Sequence, residues 1–133
     1  MPAEYGGDEG CFACGKDNPI GLHLKFDQTE DGVVARPTLE HRYQGWKGIA
    51  HGGIVVTLLD EAAAHAITRK TGKSAVTGEM QIKLRQPTPL GVPLVLRARV
   101  DAFRHRLAII TSTLHTESGD LLAEGTTKFM VPK

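Results

Sequence analysis

The spacing of apolar residues along this chain changes period twice. Residues 21 to 26, GLHLKF, alternate Leu22, Leu24 and Phe26 against His23 and Lys25, the pattern of a half-buried strand. A turn at Asp31-Gly32 and a second apolar run up to Leu39 complete a predicted hairpin. Residues 40 to 53 are irregular and glycine-rich. From about Gly52 to Thr71 the period becomes helical, with Ile54, Val55, Leu58, Leu59, Ala62, Ala63 and Ala66 recurring at the spacing of one face. Thr-Gly-Lys at 71 to 73 supplies a stop.

Beyond the helix the period is two and stays so. Met80, Ile82 and Leu84 oppose Glu79, Gln81, Lys83 and Arg85, and Leu94, Leu96, Ala98 and Val100 oppose Arg97, Arg99 and Asp101. Two further runs, HRLAIITSTLHT and LLAEGTTKFMV, follow, with PTPLG and ESGD as turns. Two strands, one long helix and four strands with short connections predict antiparallel neighbours. The expected class is α+β, an antiparallel β-sheet wrapped around one long central α-helix. Residues 1–133 read as one domain, opened by a turn-rich segment at 1–20.

One feature contradicts the apolar helix: Asp60 and Glu61 stand in its middle. A buried carboxylate costs several kcal/mol (roughly) unless it is paired or hydrogen-bonded. At 100° per residue the apolar stripe centres near Val55, Leu58 and Ala62. Asp60 falls beside the small residues Gly53, Thr57 and Ala64, so a bulky group can approach it. Glu61 has a partner in His65 at i,i+4. Glu61 therefore reads as structural and Asp60 as available. At the helix start, His51-Gly52-Gly53 leaves backbone N–H groups and the positive end of the dipole open to an anion or a carbonyl. Gly52 and Asp60 are about 12 Å apart along such a helix. That is too far for one reacting atom within a protomer, but two antiparallel helices across a dimer would close the gap. The chemistry suggested is acyl transfer to water, with an oxyanion hole and a carboxylate. The plainer reading is a solvated helical Asp and a tight loop-to-helix turn.

Composition excludes more than it suggests. The chain is 41% hydrophobic and 23% charged with a net charge of +1, which gives no bulk attraction to nucleic acid or to an anionic membrane. No apolar run is long enough to span a bilayer. The acidic, glycine-rich start is unlike a signal peptide, so the expected location is cytoplasmic. Cys11 and Cys14 form the single CxxC, followed by the turn residues Gly15, Asn18 and Pro19. Structural zinc ordinarily takes four ligands, and His23 or His41 could complete a site only by folding back. A structural turn is expected, with no metal and no cofactor.

HGGIVVTLLDEAAAHA, preceded by HRYQGWKGIA and followed by MQIKLRQPTPLG, resembles the hotdog-fold acyl-CoA thioesterases of the PaaI-like type. CFACGKDNPIGLHLKF resembles a segment of one branch of that superfamily. The resemblance runs from Cys11 to the last strand. It implies a homodimer with a continuous sheet, often paired again into a homotetramer, and an acyl-CoA or other thioester substrate. It implies Asp60 as the catalytic carboxylate, the Gly52 N–H as oxyanion donor and His51 as a support for the loop or the thioester. Gly53, Gln44 and Thr77 are expected near the substrate, and Lys83, Arg85, Arg104 and Arg106 are candidates for the CoA phosphates. Trp46 and Tyr43 are candidate pocket walls.

The chain departs from the family in having Gly45 where many relatives carry Asn or Gln, and Ala64 where some carry a hydroxyl. Gln44, one residue before Gly45, and Thr77, at the start of the strand after the helix, are the candidates for those roles. Two alternatives stand beside hydrolysis: a hotdog hydratase, for which Asp60 and His65 or the Asp17–His23 stretch would supply acid and base, and a non-catalytic acyl-CoA-binding module.

Overall fold

The computed structural model describes residues 9–133, so most of the acidic start lies outside the described residues. Six strands form one antiparallel sheet: β1 (Asp27–Gln28), β2 (Gly32–Ala35), β3 (Val76–Leu84), β4 (Leu94–Arg104), β5 (Leu107–Thr116) and β6 (Leu121–Met130). Their spatial order is β1-β2-β4-β5-β6-β3. The helix α1 (Gly52–Thr71) packs against β2 through β6.

The helix has the bounds its periodicity predicts, and both ends have local causes. His51 is the N-cap, its Nδ1 accepting the Gly53 N–H at 2.9 Å. Gly72 ends it in the left-handed region at φ 72, donating its N–H to Thr68 O at 2.7 Å. Val55, Leu58, Leu59, Ala62, Ala63, Ala66 and Ile67 are buried against Val33, Leu94, Leu96, Ile110, Leu114 and Phe129 of the sheet. Each fully buried Leu, Ile or Phe contributes about 1.5–3 kcal/mol, which outweighs a few polar residues on the opposite face. That opposite face, carrying Gly53, Thr57, Asp60 and Ala64, is not fully covered within the chain.

Four expectations need correction. GLHLKF keeps its alternation, with Leu24 and Phe26 buried and His23 and Lys25 exposed, but joins the ladder only after it, at β1. Its Leu22 and Leu24 N–H groups go instead to Phe12 O and Ala13 O at 2.8 and 2.9 Å, and His23 sits at φ 52, outside strand geometry. The second strand stops at Ala35 rather than Leu39, because Pro37 cannot donate to a ladder. β3 and β4, adjacent in sequence, are not paired: β3 lies beyond β6, at the sheet edge. Their connection crosses the helix start, where Thr88 O accepts the Ala50 N–H at 2.8 Å. Leu84 is 54% exposed at that edge, and a bulge between Val100 and Ala102 leaves Val100 half-buried. Among the described residues no helix is long and apolar enough to cross a membrane.

Candidate functional site

The site begins in the loop before α1. Gln44 Oε1 accepts the Gly48 N–H at 2.7 Å, and Gly45 N–H reaches Ile49 O at 2.8 Å, closing a tight loop over residues 44–50. Gly45 lies against the His51 backbone; a Cβ there would sit 3.0 Å from His51 Cα. A side chain there would need the His51 backbone to shift by a few tenths of an ångström. The Gln44 side-chain carbonyl is used within this loop, as the acceptor of the Gly48 N–H. His51 is held by its N–H to Tyr43 O at 2.9 Å.

The helix start then distributes its donors unevenly. Gly53 N–H is taken by the His51 ring, and Ile54 and Val55 N–H by His51 O at 2.9 and 3.2 Å. The Gly52 N–H has no acceptor among the described residues. It borders a cleft of about 400 Å³ lined by Gly45, Trp46, Ala50, His51 and Gly52. Leu84 Cδ1 would lie 3.6 Å from a Cβ at Gly52, so the end of β3 stands beside this cleft. An unused amide at the positive end of a helix is suited to a carbonyl oxygen that gains negative charge.

Two turns along, Asp60 is half-buried and its Oδ1 accepts the Thr77 hydroxyl at 2.7 Å. Burial pushes its carboxyl above the usual carboxylate range; Thr77 pulls the other way, and the Glu61 charge adds to the push. Thr57 turns its hydroxyl to Gly53 O at 2.9 Å.

Glu61 behaves as its spacing predicts. His65 Nε2 is 3.2 Å from Glu61 Oε1, and Phe26 stacks on the His65 ring at 4.4 Å. Burial alone would raise the Glu61 carboxyl, but the His65 and Cys14 hydrogen bonds and the His65 charge outweigh it and hold the group low. His65 therefore serves Glu61 and not Asp60. The Asp17–His23 stretch is likewise occupied in folding. Asn18 donates to Gly10 O at 2.9 Å, accepts the Ile20 N–H at 3.0 Å, and places its own O 2.7 Å from His23 Nε2.

The remaining candidates are dispersed. Lys83 is exposed on β3, and Arg85 beyond it pairs through Nε with Glu124 Oε2 at 3.0 Å. Arg104 and Arg106 flank the β4–β5 hairpin, Arg106 donating to Val131 O at 2.9 Å. Tyr43 is no pocket wall: it is buried, with its hydroxyl against Ile20 O and Gly21 O at 2.8 and 2.6 Å. Trp46 is 86% exposed beside the cleft. Cys11 and Cys14 meet Glu61, not His23 or His41. No sequence signal links that pair to a helix residue so far along the chain.

Comparison with known proteins follows the same lines. The family model of the thioesterase superfamily matches residues 47–123, more than half of the chain. No curated protein matches in sequence. A crystal structure of a thioesterase superfamily protein superposes with a TM-score of 0.83 at 24% identity over 92% of this chain, which spans 60% of that longer protein. The PaaI protein of the E. coli phenylacetic acid degradation operon gives 0.74 at 21% identity, covering 82% of this chain and 83% of that one. A hypothetical thioesterase from Streptococcus pneumoniae, crystallised with coenzyme A, gives 0.73 at 18% identity, covering 80% and 86%. At these identities the structural likeness is one of fold, and the fold is the hotdog.

Proposed function

This chain belongs to the thioesterase superfamily, and from that membership we propose that it hydrolyses a thioester, an acyl- or aryl-CoA, to a carboxylic acid and a free thiol. One observation carries the reading. The uncovered face of α1 presents an unused amide donor at Gly52 and a half-buried carboxylate at Asp60, with Gly53, Val56 and Thr57 between. A non-catalytic binding module has no use for a carboxylate whose burial is unfavourable.

The two groups act on one carbonyl if two copies pair along β3. That strand bonds β6 on one side and is the long open edge of the sheet on the other, with Val76 and Leu84 exposed. An open edge of this length is ordinarily covered. Antiparallel pairing there makes one continuous sheet and sets the two helices side by side in opposite directions. Gly52 of one subunit then faces Asp60 of the other. The Gly52 N–H takes up the developing oxyanion, and Asp60 activates water or attacks the carbonyl carbon. His51 holds the donor by capping the helix, and Gly53 leaves room beside it. Thr77 orients Asp60. Trp46 borders the acyl or aryl entrance. Lys83 and Arg85, near the Gly52 end of β3, meet the CoA phosphates in this reading, a ligand suggested by the coenzyme A held in the pneumococcal structure.

The test is thiol release from a panel of acyl- and aryl-CoAs, with wild type and Asp60→Asn in parallel. Turnover that falls ~10²–10⁴-fold in the variant, with melting temperature and oligomer unchanged, supports the reading. Turnover on no thioester, or an unaffected variant, ends it.

A further inference from the structure

The CxxC turn is built more firmly than a surface loop requires. Gly15 N–H closes onto Cys11 O at 3.0 Å, Asp17 N–H onto Glu9 O at 2.8 Å, and the Asn18 amide onto Gly10 O at 2.9 Å. Gly15 is buried, and a Cβ there would run into Glu9 O and Cys11 N, so the turn admits only glycine. Ala13 at its tip is buried in the core, which presses both thiols toward the middle of α1. There they meet Glu61: one ligand atom from each of the three residues lies within 4.8 Å of the other two.

Three groups that bind cations best as anions thus converge on one point. The carboxylate is already oriented, because the His65 ring contacts it and Phe26 fixes that ring. A carboxylate has two oxygens, so His65 and an ion can be served together. Ligands held by such an outer contact are typical of metal centres. Without a cation, burial and the nearby Glu61 and Cys11 oppose ionisation of the Cys14 thiol. A divalent ion reverses that balance.

We propose that Cys11, Cys14 and Glu61 form a zinc site that ties the N-terminal turn to the centre of helix α1. Two sulfurs and one oxygen suit the borderline-soft Zn²⁺ and exclude Ca²⁺ and Mg²⁺, which take oxygen donors. With Zn–S near 2.3 Å and Zn–O near 2.0–2.2 Å, ligands of a tetrahedral ion stand ~3.5–3.8 Å apart. From separations of at most 4.8 Å, the three atoms need to close by about 1 Å to reach that spacing. Water completes the fourth position. Binding forms two Zn–S bonds and one Zn–O bond and releases one proton from each thiol to solvent. Asp60 is the preceding residue but is engaged by Thr77 on another side of the helix, so the ion is a structural tie and takes no part in hydrolysis. This site goes beyond the thioesterase reading and is tested without it.

The experiment uses the full chain. After loading with Zn²⁺ and desalting, about one zinc per chain is expected to remain, and Co²⁺ in its place is expected to give sulfur-to-metal charge-transfer absorption. Glu61→Gln weakens Zn²⁺ binding by at least ~10-fold while keeping both thiols, and Cys14→Ser abolishes the cobalt bands. The chain has no cysteines besides these two, so alkylation of the wild type reports on the site even if a variant fails to fold. Zinc is expected to protect both thiols and a chelator to expose them. No retained zinc, alkylation indifferent to zinc, a Cys11–Cys14 disulfide in the purified protein, or unchanged affinity in Glu61→Gln overturns the proposal.

Discussion

Thr77 donates its hydroxyl proton to Asp60 Oδ1 across 2.7 Å, joining the start of β3 to the middle of α1. The contact sets two effects against each other on one carboxyl group. Burial raises its pKa and the hydroxyl lowers it, and burial is the larger. Asp60 is thereby a stronger base than an exposed Asp, yet still held in one orientation.

Activity is expected to need Asp60 ionised, so kcat/KM should rise with pH through a pKa above the usual carboxylate range. Thr77→Val removes the donor and should move this acid limb up by about 1–2 pH units, from a charged hydrogen bond worth about 1.5–3 kcal/mol. Thr77→Ser should leave it in place. The stability sign is opposite to that of a salt-bridged Asp. A raised folded pKa means that the folded state holds the proton more tightly than the unfolded one. Its stabilising contribution is full below the ordinary Asp pKa and is lost as pH rises through the raised value. Asp60→Asn should therefore melt no lower than wild type at neutral pH.

Gly52 allows its amide to be removed without disturbing the helix. It is the first helical residue, where proline is well accepted, and His51 already has the extended ψ of 137 that precedes a proline. Gly52→Pro is expected to keep the melting temperature within a few degrees (~2–4 °C). It should lose about 2.7–4 kcal/mol of transition-state stabilisation, ~10²–10³-fold in kcat. Steady-state kinetics on the best CoA ester, with a thermal melt, check both halves.

If one active site takes Gly52 from one subunit and Asp60 from its partner, two dead variants should rescue each other. Refolding Gly52→Pro with Asp60→Asn in equal amounts should give mixed dimers with one intact site each, and about a quarter of wild-type activity from random pairing. A site built within one subunit leaves every mixed dimer inactive.

His51 caps the helix with its ring, so its structural and chemical roles can be separated. His51→Ala should cost about 1 kcal/mol of stability, within the range for lost N-caps, and His51→Asn should restore most of it. Thiol release from the Asn variant then isolates the ring's contact with substrate. Recovery of stability without recovery of rate would give the ring a chemical role.

Much of the site was legible before the fold, for a physical reason. The bounds of α1, the position of Asp60 off the apolar stripe and the Glu61–His65 pair depend on residues within a turn or two of one another. Helical geometry alone fixes those relationships. The alternation of Leu24 and Phe26 against His23 and Lys25 was equally readable. What it could not reveal was the partner, because alternation records which side is buried and not which backbone accepts the hydrogen bonds.

The amino-acid sequence by itself therefore determined one apolar helix among strands of period two, bounded by the glycine pair at 52–53 and the Thr-Gly-Lys stop at 71–73, with an available carboxylate at Asp60. Family resemblance named Thr77, but only the tertiary structure carried it to Asp60, and only it moved β3 away from β4 to the sheet edge. It alone pressed Gly45 against His51 and brought Cys11 and Cys14 to Glu61. These contacts join segments whose relative position is set by core packing around α1, and no local period encodes a distance across the core.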